Sequence, residues 1–254
     1  MKKYDSKILI DIEDLSKSFG DNEVLKGVTM QLYENENLVV LGKSGTGKSV
    51  LIKCIVNLLE QDSGVIKVIG LEVNKNNEDD LAAIREKIGF LFQGAALYDS
   101  MSVRENLTFP LTRSKKKLNV ENIESKIIEA LENVSLPESI DKMPSELSGG
   151  MKKRIGLART LITNPKILLY DEPTTGLDPI TSDEISHLIN FTKEKYKTSS
   201  IIISHDMKCV KAVADRIIML KRHLPLKNNS FFPCVITKRL LYLQCHNVSR
   251  SFYD

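Results

Sequence analysis

The sequence contains few cysteines and no long apolar run, and both absences limit what the chain can be. Its longest apolar stretches, such as residues 38–41 and 201–203, have the length of a strand. A helix that spans a membrane needs about 18 consecutive apolar residues. The apolar residues 8–10 are soon followed by acids, unlike a secretory signal. We therefore expect a chain that neither crosses a membrane nor is exported.

The four cysteines lie mostly far apart along the sequence and show no CxxC spacing. They are Cys54, Cys209, Cys234 and Cys245. Zinc sites and disulfide frameworks use cysteines at short, paired spacings. The sequence therefore predicts reduced thiols, with neither a metal site nor a disulfide framework.

Positive charge is concentrated near the end of the sequence. Residues 222–254 hold five Lys or Arg and one acid, a net +4, so the +3 of the whole chain leaves −1 for residues 1–221. A basic excess marks a nucleic-acid-binding domain, and residues 1–221 lack it, so no nucleic-acid partner is predicted. The content of 42% hydrophobic and 27% charged residues indicates one large globular domain, or a core with an inserted subdomain.

Residues 8–40 alternate short β-rich runs with turns. The runs at 8–12 and 24–32 are separated by the turn residues 20–22, and a second polar turn follows at 34–37. This pattern predicts an antiparallel sheet at the edge of the domain.

Beyond this sheet, apolar strands alternate with helical patterns. Strand candidates at 38–41, 167–170 and 200–204 are typical of a parallel α/β core. Apolar residues at helical spacing predict a helical subdomain inserted over about 94–165. They are Ile123, Ile127, Ala130, Leu131 and Val134. We expect one domain over 1–221, followed by an atypical basic tail over 222–254.

A phosphate-binding loop follows the strand candidate at 38–41. The motif GxxxxGK[ST] is matched by Gly42, Lys43, Ser44, Gly45, Thr46, Gly47, Lys48 and Ser49. Its glycines let backbone N–H groups wrap around an anion, and the N-terminus of the next helix adds positive potential. Lys48 is predicted to contact the β and γ phosphates of ATP, and the Ser49 hydroxyl to bind Mg²⁺. The core is therefore predicted to be an α/β P-loop NTPase.

Two adjacent acids end the strand candidate at 167–170. Asp171 is predicted to hold Mg²⁺ through water, and Glu172 to polarise the water that attacks ATP. An acidic turn after a strand is common by itself, so this prediction depends on the phosphate loop. A second anion-binding helix N-terminus is predicted where a helix opens at Ser148, Gly149 and Gly150.

The order of these motifs resembles that of the ABC transporter ATPases over about residues 8–221. The motifs are the phosphate loop, the Leu-Ser-Gly-Gly sequence, the acidic strand end and a downstream His. The resemblance implies the ABC ATPase fold, with an antiparallel β edge subdomain and an inserted helical subdomain. It also implies that Gln93 contacts Mg²⁺ and the attacking water, that His205 contacts the γ-phosphate, and that Asp178 belongs to a loop between two subunits.

Phe19 takes the position at which this family stacks an aromatic ring on adenine. Each of these assignments has a plainer alternative when the residue is taken alone. Phe19 would be an ordinary residue of the β core. Gln93 would be a loop amide, and His205 a polar residue at a strand end.

Residues 91–103 and Met151 resemble, within the family, the ATPases of Mla-type lipid transporters. The resemblance to the ABC family as a whole implies a head-to-tail dimer in which residues 148–150 of one copy close over the ATP of the other. The Mla-type resemblance implies the partners and the cargo. The implied partners are an integral membrane permease and a substrate-binding protein of the MCE type, which together move phospholipid or a similar hydrophobic molecule. The chain would lie on the cytoplasmic face of the inner membrane. Leu97, Tyr98 and Met101 are the candidates for the surface that docks on the permease.

Two other functions stay open at this point. One is a soluble ABC ATPase of translation or DNA repair, although such proteins usually carry tandem ATPase units or a long coiled coil. The other is a regulatory subunit that binds ATP with impaired turnover.

The tail at 222–254 departs from the family, because it contains no Gly and only one acid. It is interpreted as a basic partner-binding or disordered tail, or as a frameshifted reading that loses the last hairpin and exposes a sheet edge. The three lysines at 115–117 are predicted to lie in a solvated loop.

Overall fold

The computed structural model describes residues 7–113 and 119–220, and the backbone alone of Cys234–Thr237. The predicted loop at 115–117 and the rest of the tail lie outside these residues. The strands are β1 (Ile8–Phe19), β2 (Asn22–Tyr33), β3 (Asn37–Leu41), β4 (Ser63–Val68), β5 (Leu71–Glu72), β6 (Ile88–Leu91), β7 (Ile167–Asp171), β8 (Ser199–Ile203), β9 (Arg216–Met219) and β10 (Cys234–Thr237). The helices are α1 (Lys48–Ile55), α2 (Glu78–Lys87), α3 (Val103–Arg113), α4 (Val120–Glu132), α5 (Gly149–Leu161), α6 (Pro179–Tyr196) and α7 (Met207–Val213).

The predicted antiparallel sheet is confirmed, with strand order β2-β1-β4-β5. Strand β1 is longer than predicted, because its pairing with β2 continues as far as Phe19 opposite Asn22. The register shifts between Ile12 and Leu15, and Asp14 within this bulge adopts a left-handed φ of 50°. A bulge interrupts the alternation of apolar and polar residues. The pattern in the sequence therefore predicted a strand that ended at residue 12.

The predicted parallel core is confirmed as a sheet of order β10-β9-β3-β8-β7-β6. Strand β3 runs parallel to β8 and β9, and β7 runs parallel to β6 and β8. Each end of the three predicted strands lies within one residue of the observed end. Every residue of β3, β7 and β8 is buried, which explains their continuous apolar sequences. Residues that follow these strands therefore meet at one edge of the sheet.

Helices cover the sheet and divide the core into three clusters. Helix α1 contributes Leu51 and Ile55 to a cluster shared with the antiparallel sheet. Helices α6 and α7 contribute Ile185 and Val210 to a cluster on the other face of the parallel sheet. Helices α3, α4 and α5 form the third cluster, as the helical pattern predicted, although Val134 lies beyond the end of α4. Across the described residues, no helix combines the length and apolar character that a membrane span requires.

Strand β10 corrects one expectation about the tail. A frameshifted tail was expected to leave the edge of the sheet exposed, whereas the backbone of Cys234–Thr237 pairs antiparallel with β9. An unpaired edge strand presents free N–H and C=O groups to any β-prone segment within reach. The tail sequence Cys-Val-Ile-Thr contains such β-branched residues. The origin of the tail stays a prediction.

Candidate functional site

A cavity of about 910 Å³ is lined by residues that follow β3, β7 and β8. It contains most of the residues that the sequence patterns selected. These are Gly42, Lys43, Ser44, Gly45, Gly47, Lys48, Ser49, Gln93, Glu172 and His205. Val24 and Thr175 line the cavity as well, and no pattern in the sequence predicted them. The fold therefore brings the loop, the amide, the acid and the imidazole into one site.

Lys48 lies inside the curve of the phosphate loop as the first residue of α1. Its Nζ donates hydrogen bonds to the backbone oxygens of Gly42 at 2.8 Å and Lys43 at 3.1 Å. Burial lowers the pKa of the Lys48 ammonium, and the negative charges of Glu172 and Asp171 oppose that shift. The loop thus holds a desolvated cation beside the N-terminus of a helix, which is a strong site for an anion.

Gly47 shows why the loop needs glycine just before α1. Its φ is +88°, and a Cβ there would lie 2.8 Å from side-chain atoms of Val24 and Leu25. Both the left-handed backbone and the close approach of β2 exclude a larger residue. Thr46 stabilises the same loop, because its Oγ1 donates a hydrogen bond to the backbone oxygen of Lys43 at 2.9 Å.

Ser49 and Asp171 bring two oxygen ligands together beside the cavity. The Ser49 Oγ donates to Asp171 Oδ1 at 2.8 Å, and Asp171 is the last residue of β7. Burial raises the pKa of the Asp171 carboxyl, and the hydrogen bond from Ser49 partly opposes that shift. Mg²⁺ in nucleotide sites is held by one or two protein oxygens together with phosphates and water. The Ser49 hydroxyl and the Asp171 carboxylate are oxygen donors of the kind that such a shared cation site uses.

Glu172 has a constrained backbone and a well-connected carboxylate. Its φ is 50°, which is uncommon for a residue with a side chain, and its N–H donates to the backbone oxygen of Ile203 at 3.0 Å. Its Oε2 lies 2.7 Å from Nδ1 of His205 and accepts from Thr175 Oγ1 at 3.1 Å. Its Oε1 lies 3.9 Å from Nζ of Lys48. The strained backbone thus directs the carboxylate towards the phosphate loop.

Gln93 is exposed in the cavity, two residues after the end of β6. The loop that follows it is unusual, because Ala95 and Ala96 are both left-handed, with φ of 61° and 51°. Arg159 of α5 donates to the backbone oxygens of Ala95 at 3.3 Å and Ala96 at 2.8 Å. Burial lowers the pKa of the Arg159 guanidinium.

Asn106, which is completely buried, holds the far end of the same loop. Its Nδ2 donates to three backbone oxygens, those of Tyr98, Met101 and Ser102, at 2.9–3.1 Å. Its Oδ1 accepts the N–H of Tyr98 at 2.9 Å and a hydrogen bond from Arg159 at 3.2 Å. No motif pointed to Arg159, because its partners include backbone oxygens of a distant loop.

The residues assigned to a second subunit lie outside this cavity. Ser148 caps α5, since its Oγ accepts the N–H of Met151 at 3.2 Å, and both Ser148 and Gly149 are exposed. Asp178 caps α6 by accepting the N–H groups of Ile180 and Thr181, each at 3.0 Å. The hydroxyl of Thr181 also donates to Asp178 and contributes most to lowering the pKa of that carboxyl, and the two backbone N–H groups lower the pKa further. Gly150 is buried against α6, where a Cβ would lie 2.4 Å from Thr181 Cγ2.

Phe19 is 48% exposed at the end of β1, so its interpretation as a residue of the β core is wrong. It does not line the cavity described above. The ammonium of Lys17 lies 5.6 Å from the centre of its ring. An exposed ring at the end of a strand is free to stack on a planar ligand, and its contact with adenine stays a prediction.

The permease-docking candidates are only partly exposed. Tyr98 is 44% exposed, and the guanidinium of Arg159 lies 5.5 Å from its ring centre. Leu97 and Met101 are half-buried, and Leu97 packs against the core of the helical subdomain. Of the three, Tyr98 offers the largest accessible surface.

Comparison with known proteins places residues 25–175 in the family model described as ABC transporter. A methionine import ATP-binding protein of Clostridium tetani is 36% identical over 212 residues, covering 84% of this chain and 66% of the relative. A probable ribonucleotide transport ATP-binding protein of Mycobacterium leprae is 38% identical over 218 residues, covering 85% and 62%. The chloroplastic protein TRIGALACTOSYLDIACYLGLYCEROL 3 of Arabidopsis thaliana is 38% identical over 233 residues, covering 85% and 67%. The chain thus spans about two thirds of the length of these curated relatives.

Solved structures with the same fold include one described as a dimeric bacterial ABC transporter cassette, MJ0796. It has a TM-score of 0.77 and 30% identity, covering 84% of this chain and 94% of that chain. The cbiO1 protein of Clostridium perfringens, described as part of the ABC transporter complex cbiONQ, has a TM-score of 0.79 and 27% identity. That match covers 96% of this chain and 94% of the other.

Proposed function

This chain belongs to the ABC transporter family, and we propose that it is the subunit that hydrolyses ATP to drive a separate membrane permease. One observation carries the proposal: the cavity holds a phosphate loop with a buried Lys48, and it faces the paired Glu172 and His205. A protein that only binds nucleotide has no need for an acid that is oriented by an imidazole at this place. The alternative of a regulatory subunit with impaired turnover is therefore disfavoured.

The phosphate loop and its lysine account for nucleotide binding. Backbone N–H groups of residues 42–49 and the Lys48 ammonium would hold the β and γ phosphates of ATP. Ser49 and Asp171 would hold Mg²⁺, directly and through water. The cation would supply charge neutralisation of the phosphates as the bond to the γ-phosphorus breaks.

Glu172 and its partners account for hydrolysis. Its Oε2 is engaged by His205 and Thr175, so we assign to Oε1 the proton of the attacking water. As that proton moves to Oε1, the water oxygen bonds to the γ-phosphorus and the bond to the leaving ADP oxygen breaks. Gln93, which also lines the cavity, would orient the water.

A second copy of the chain would complete the site. Residues 148–150 and Asp178 lie outside the cavity of their own chain, on helix ends that are exposed at Ser148 and Asp178. In a head-to-tail dimer, the N-terminus of α5 would close over the γ-phosphate held by the partner's phosphate loop. The dimeric MJ0796 cassette, which shares the fold, supports this arrangement.

The cargo that we propose is phospholipid or a similar hydrophobic molecule. The resemblance of residues 91–103 to the Mla-type ATPases supports it, as does the Arabidopsis relative, which is named for a galactolipid. The permease and an MCE-type substrate-binding protein would be the partners, and the chain would sit on the cytoplasmic face of the inner membrane. Methionine or ribonucleotide is the second candidate cargo, because relatives with 36% and 38% identity to this chain are named for the transport of those molecules.

The hydrolysis proposal is tested by comparing the wild type with Glu172→Gln, and with Glu194→Gln as a control on the exposed surface of α6. We expect Glu172→Gln to lower kcat by about 10²-fold or more, while ATP still binds and a dimer accumulates. Glu194→Gln should match the wild type. Equal rates in Glu172→Gln and wild type would contradict the role of Glu172.

The cargo proposal is tested on the complex purified from native membranes. Mass spectrometry of that complex should detect a permease, an MCE-type protein and enriched phospholipid. The reconstituted complex should show ATP-dependent transfer of phospholipid between vesicles. Uptake of methionine or a ribonucleotide, with no lipid transfer, would establish the second candidate in its place.

A further inference from the structure

Lys153 of α5 carries a charge that is buried among backbone carbonyls. Its side chain is only 6% exposed. Its Nζ donates to the backbone oxygens of Glu172 at 3.2 Å, Pro173 at 2.8 Å and Thr175 at 2.8 Å. Burial lowers the pKa of the Lys153 ammonium, and the negative charge of Glu172 opposes that shift. The three oxygens saturate the three N–H donors of the ammonium.

Burial of this ammonium costs free energy, which points to a structural role that the charge provides. A buried ammonium loses its hydration, and three hydrogen bonds to neutral carbonyls restore only part of that loss. A shorter apolar residue would fill this position of α5 at a lower cost. What the ammonium provides is a single anchor for the segment 172–175, because it binds three of the four backbone oxygens in the segment that follows β7.

That anchored segment begins with the strained residue of the site. Glu172 has a φ of 50°, and its carboxylate must be directed at His205 and the phosphate loop. Thr175, whose backbone oxygen binds Lys153, also donates its Oγ1 to the Glu172 carboxylate. The contacts of Lys153 therefore hold both the backbone of Glu172 and the neighbour that orients its side chain.

Lys153 lies close to the N-terminus of α5, so its contacts link that helix end to the segment 172–175. It lies five residues after Ser148, the N-cap of the helix, a distance of about 7.5 Å along a rigid axis. The N-terminus of α5 is the surface that would close over the ATP of a second copy. A displacement of this helix end would therefore be transmitted through one side chain to the hydrolytic carboxylate of the same chain.

We propose that Lys153 is a positioning residue that couples the Ser148 end of α5 to the orientation of Glu172. This inference rests on the proposed function, since it assumes that Glu172 hydrolyses ATP. It predicts that ATP bound under one helix end sets the hydrolytic rate at the other site of the dimer. Lys153 itself touches no reacting atom and is not a catalytic residue.

The test compares Lys153→Met, which removes the ammonium but keeps the apolar stem, with Lys152→Met in the same helical turn. Lys152 makes none of the three contacts described for its neighbour. We expect Lys153→Met to lower kcat by about 10- to 100-fold, with KM for ATP changed less than about twofold. On a Glu172→Gln background, Lys153→Met should cause no further loss, because both changes act on one group. Lys153→Gln, which keeps a donor without the charge, should give an intermediate kcat.

A second measurement tests the anchor without relying on ATP turnover. Hydrogen exchange of the nucleotide-free protein should be faster over residues 172–177 in Lys153→Met, and unchanged in Lys152→Met. Unchanged exchange in Lys153→Met, or an additive loss on the Glu172→Gln background, would overturn the inference. Absence of ATPase activity in the wild type would instead overturn the proposed function, and the exchange result would still decide the role of Lys153. If Lys153→Met folds poorly, both measurements are made on Lys153→Gln instead, and the same outcomes support or overturn the inference.

Discussion

The Oε2 atom of Glu172 lies 2.7 Å from the Nδ1 atom of His205, and the two residues follow adjacent parallel strands. Glu172 is largely buried, with 12% of its side chain exposed, whereas His205 is 59% exposed. The paired ends of β7 and β8, where Asp171 lies opposite Ile203, fix this distance. An exposed imidazole that is held by a buried acid can contact a ligand and orient that acid at the same time.

The first prediction follows from this pair. His205→Ala should lower kcat for ATP hydrolysis by about 10²-fold and leave ATP affinity within a few-fold of the wild type, because the lost imidazole orients Glu172. His187→Ala, on the exposed face of α6, is the control and should not change the rate. Steady-state hydrolysis and nucleotide titration measure the two effects. Retention of the full rate in His205→Ala would contradict the role of the pair.

Sequence patterns predicted the segments around the site well where each pattern lies in one continuous stretch of sequence. The phosphate loop, the strand β3 before it and the helix α1 after it form one continuous segment, so glycine spacing and apolar periodicity predicted all three. The acids at the end of β7 were identified for the same reason. These segments meet in the fold because parallel strands place their carboxyl ends on one edge of the sheet.

The rest of the site depends on contacts that leave no local pattern. Lys153 and Arg159 bind carbonyl oxygens, which every residue possesses, so the sequence does not mark their partners. A lysine in a helix is usually solvated, and the sequence around Lys153 does not indicate that this side chain turns inward. The sequence pattern did not predict the bulge at Asp14. One extra residue in a strand shifts the alternation of apolar and polar residues by which a strand is recognised.

A second prediction concerns the antiparallel sheet, where Gly64 of β4 lies against the bulge of β1. Its φ is +93°, and a Cβ would lie 2.5 Å from the backbone oxygen of Asp14. Gly64→Ala should therefore lower the free energy of unfolding by about 3 kcal/mol. Gly20→Ala, also left-handed but with open space around its Cβ position, should cost only about 1 kcal/mol. Equal losses in urea denaturation would show that the contact with Asp14 carries no cost.

A third prediction concerns Asn106, which fixes the loop between Gln93 and α3. Asn106→Leu would leave the part-buried carbonyls of Tyr98, Met101 and Ser102 without this donor. We expect a loss of about 2–4 kcal/mol in stability and faster proteolysis within residues 94–102. ATP affinity should stay near that of the wild type, because the phosphate loop is not touched. The control is Asn122→Leu on the exposed side of α4, and equal proteolysis in the two variants would contradict the role of Asn106.

The last prediction separates the catalytic domain from the tail. A chain that ends at residue 221 should bind and hydrolyse ATP at about the rate of the full chain, because every residue of the cavity lies between Val24 and His205. It should be less stable by about 1–2 kcal/mol and more prone to association, because β9 loses the backbone partner Cys234–Thr237 and becomes an open edge. Thermal unfolding and light scattering of the two chains measure this. If truncation abolished ATP binding, the tail would belong to the working domain, and residues 1–221 would no longer define it.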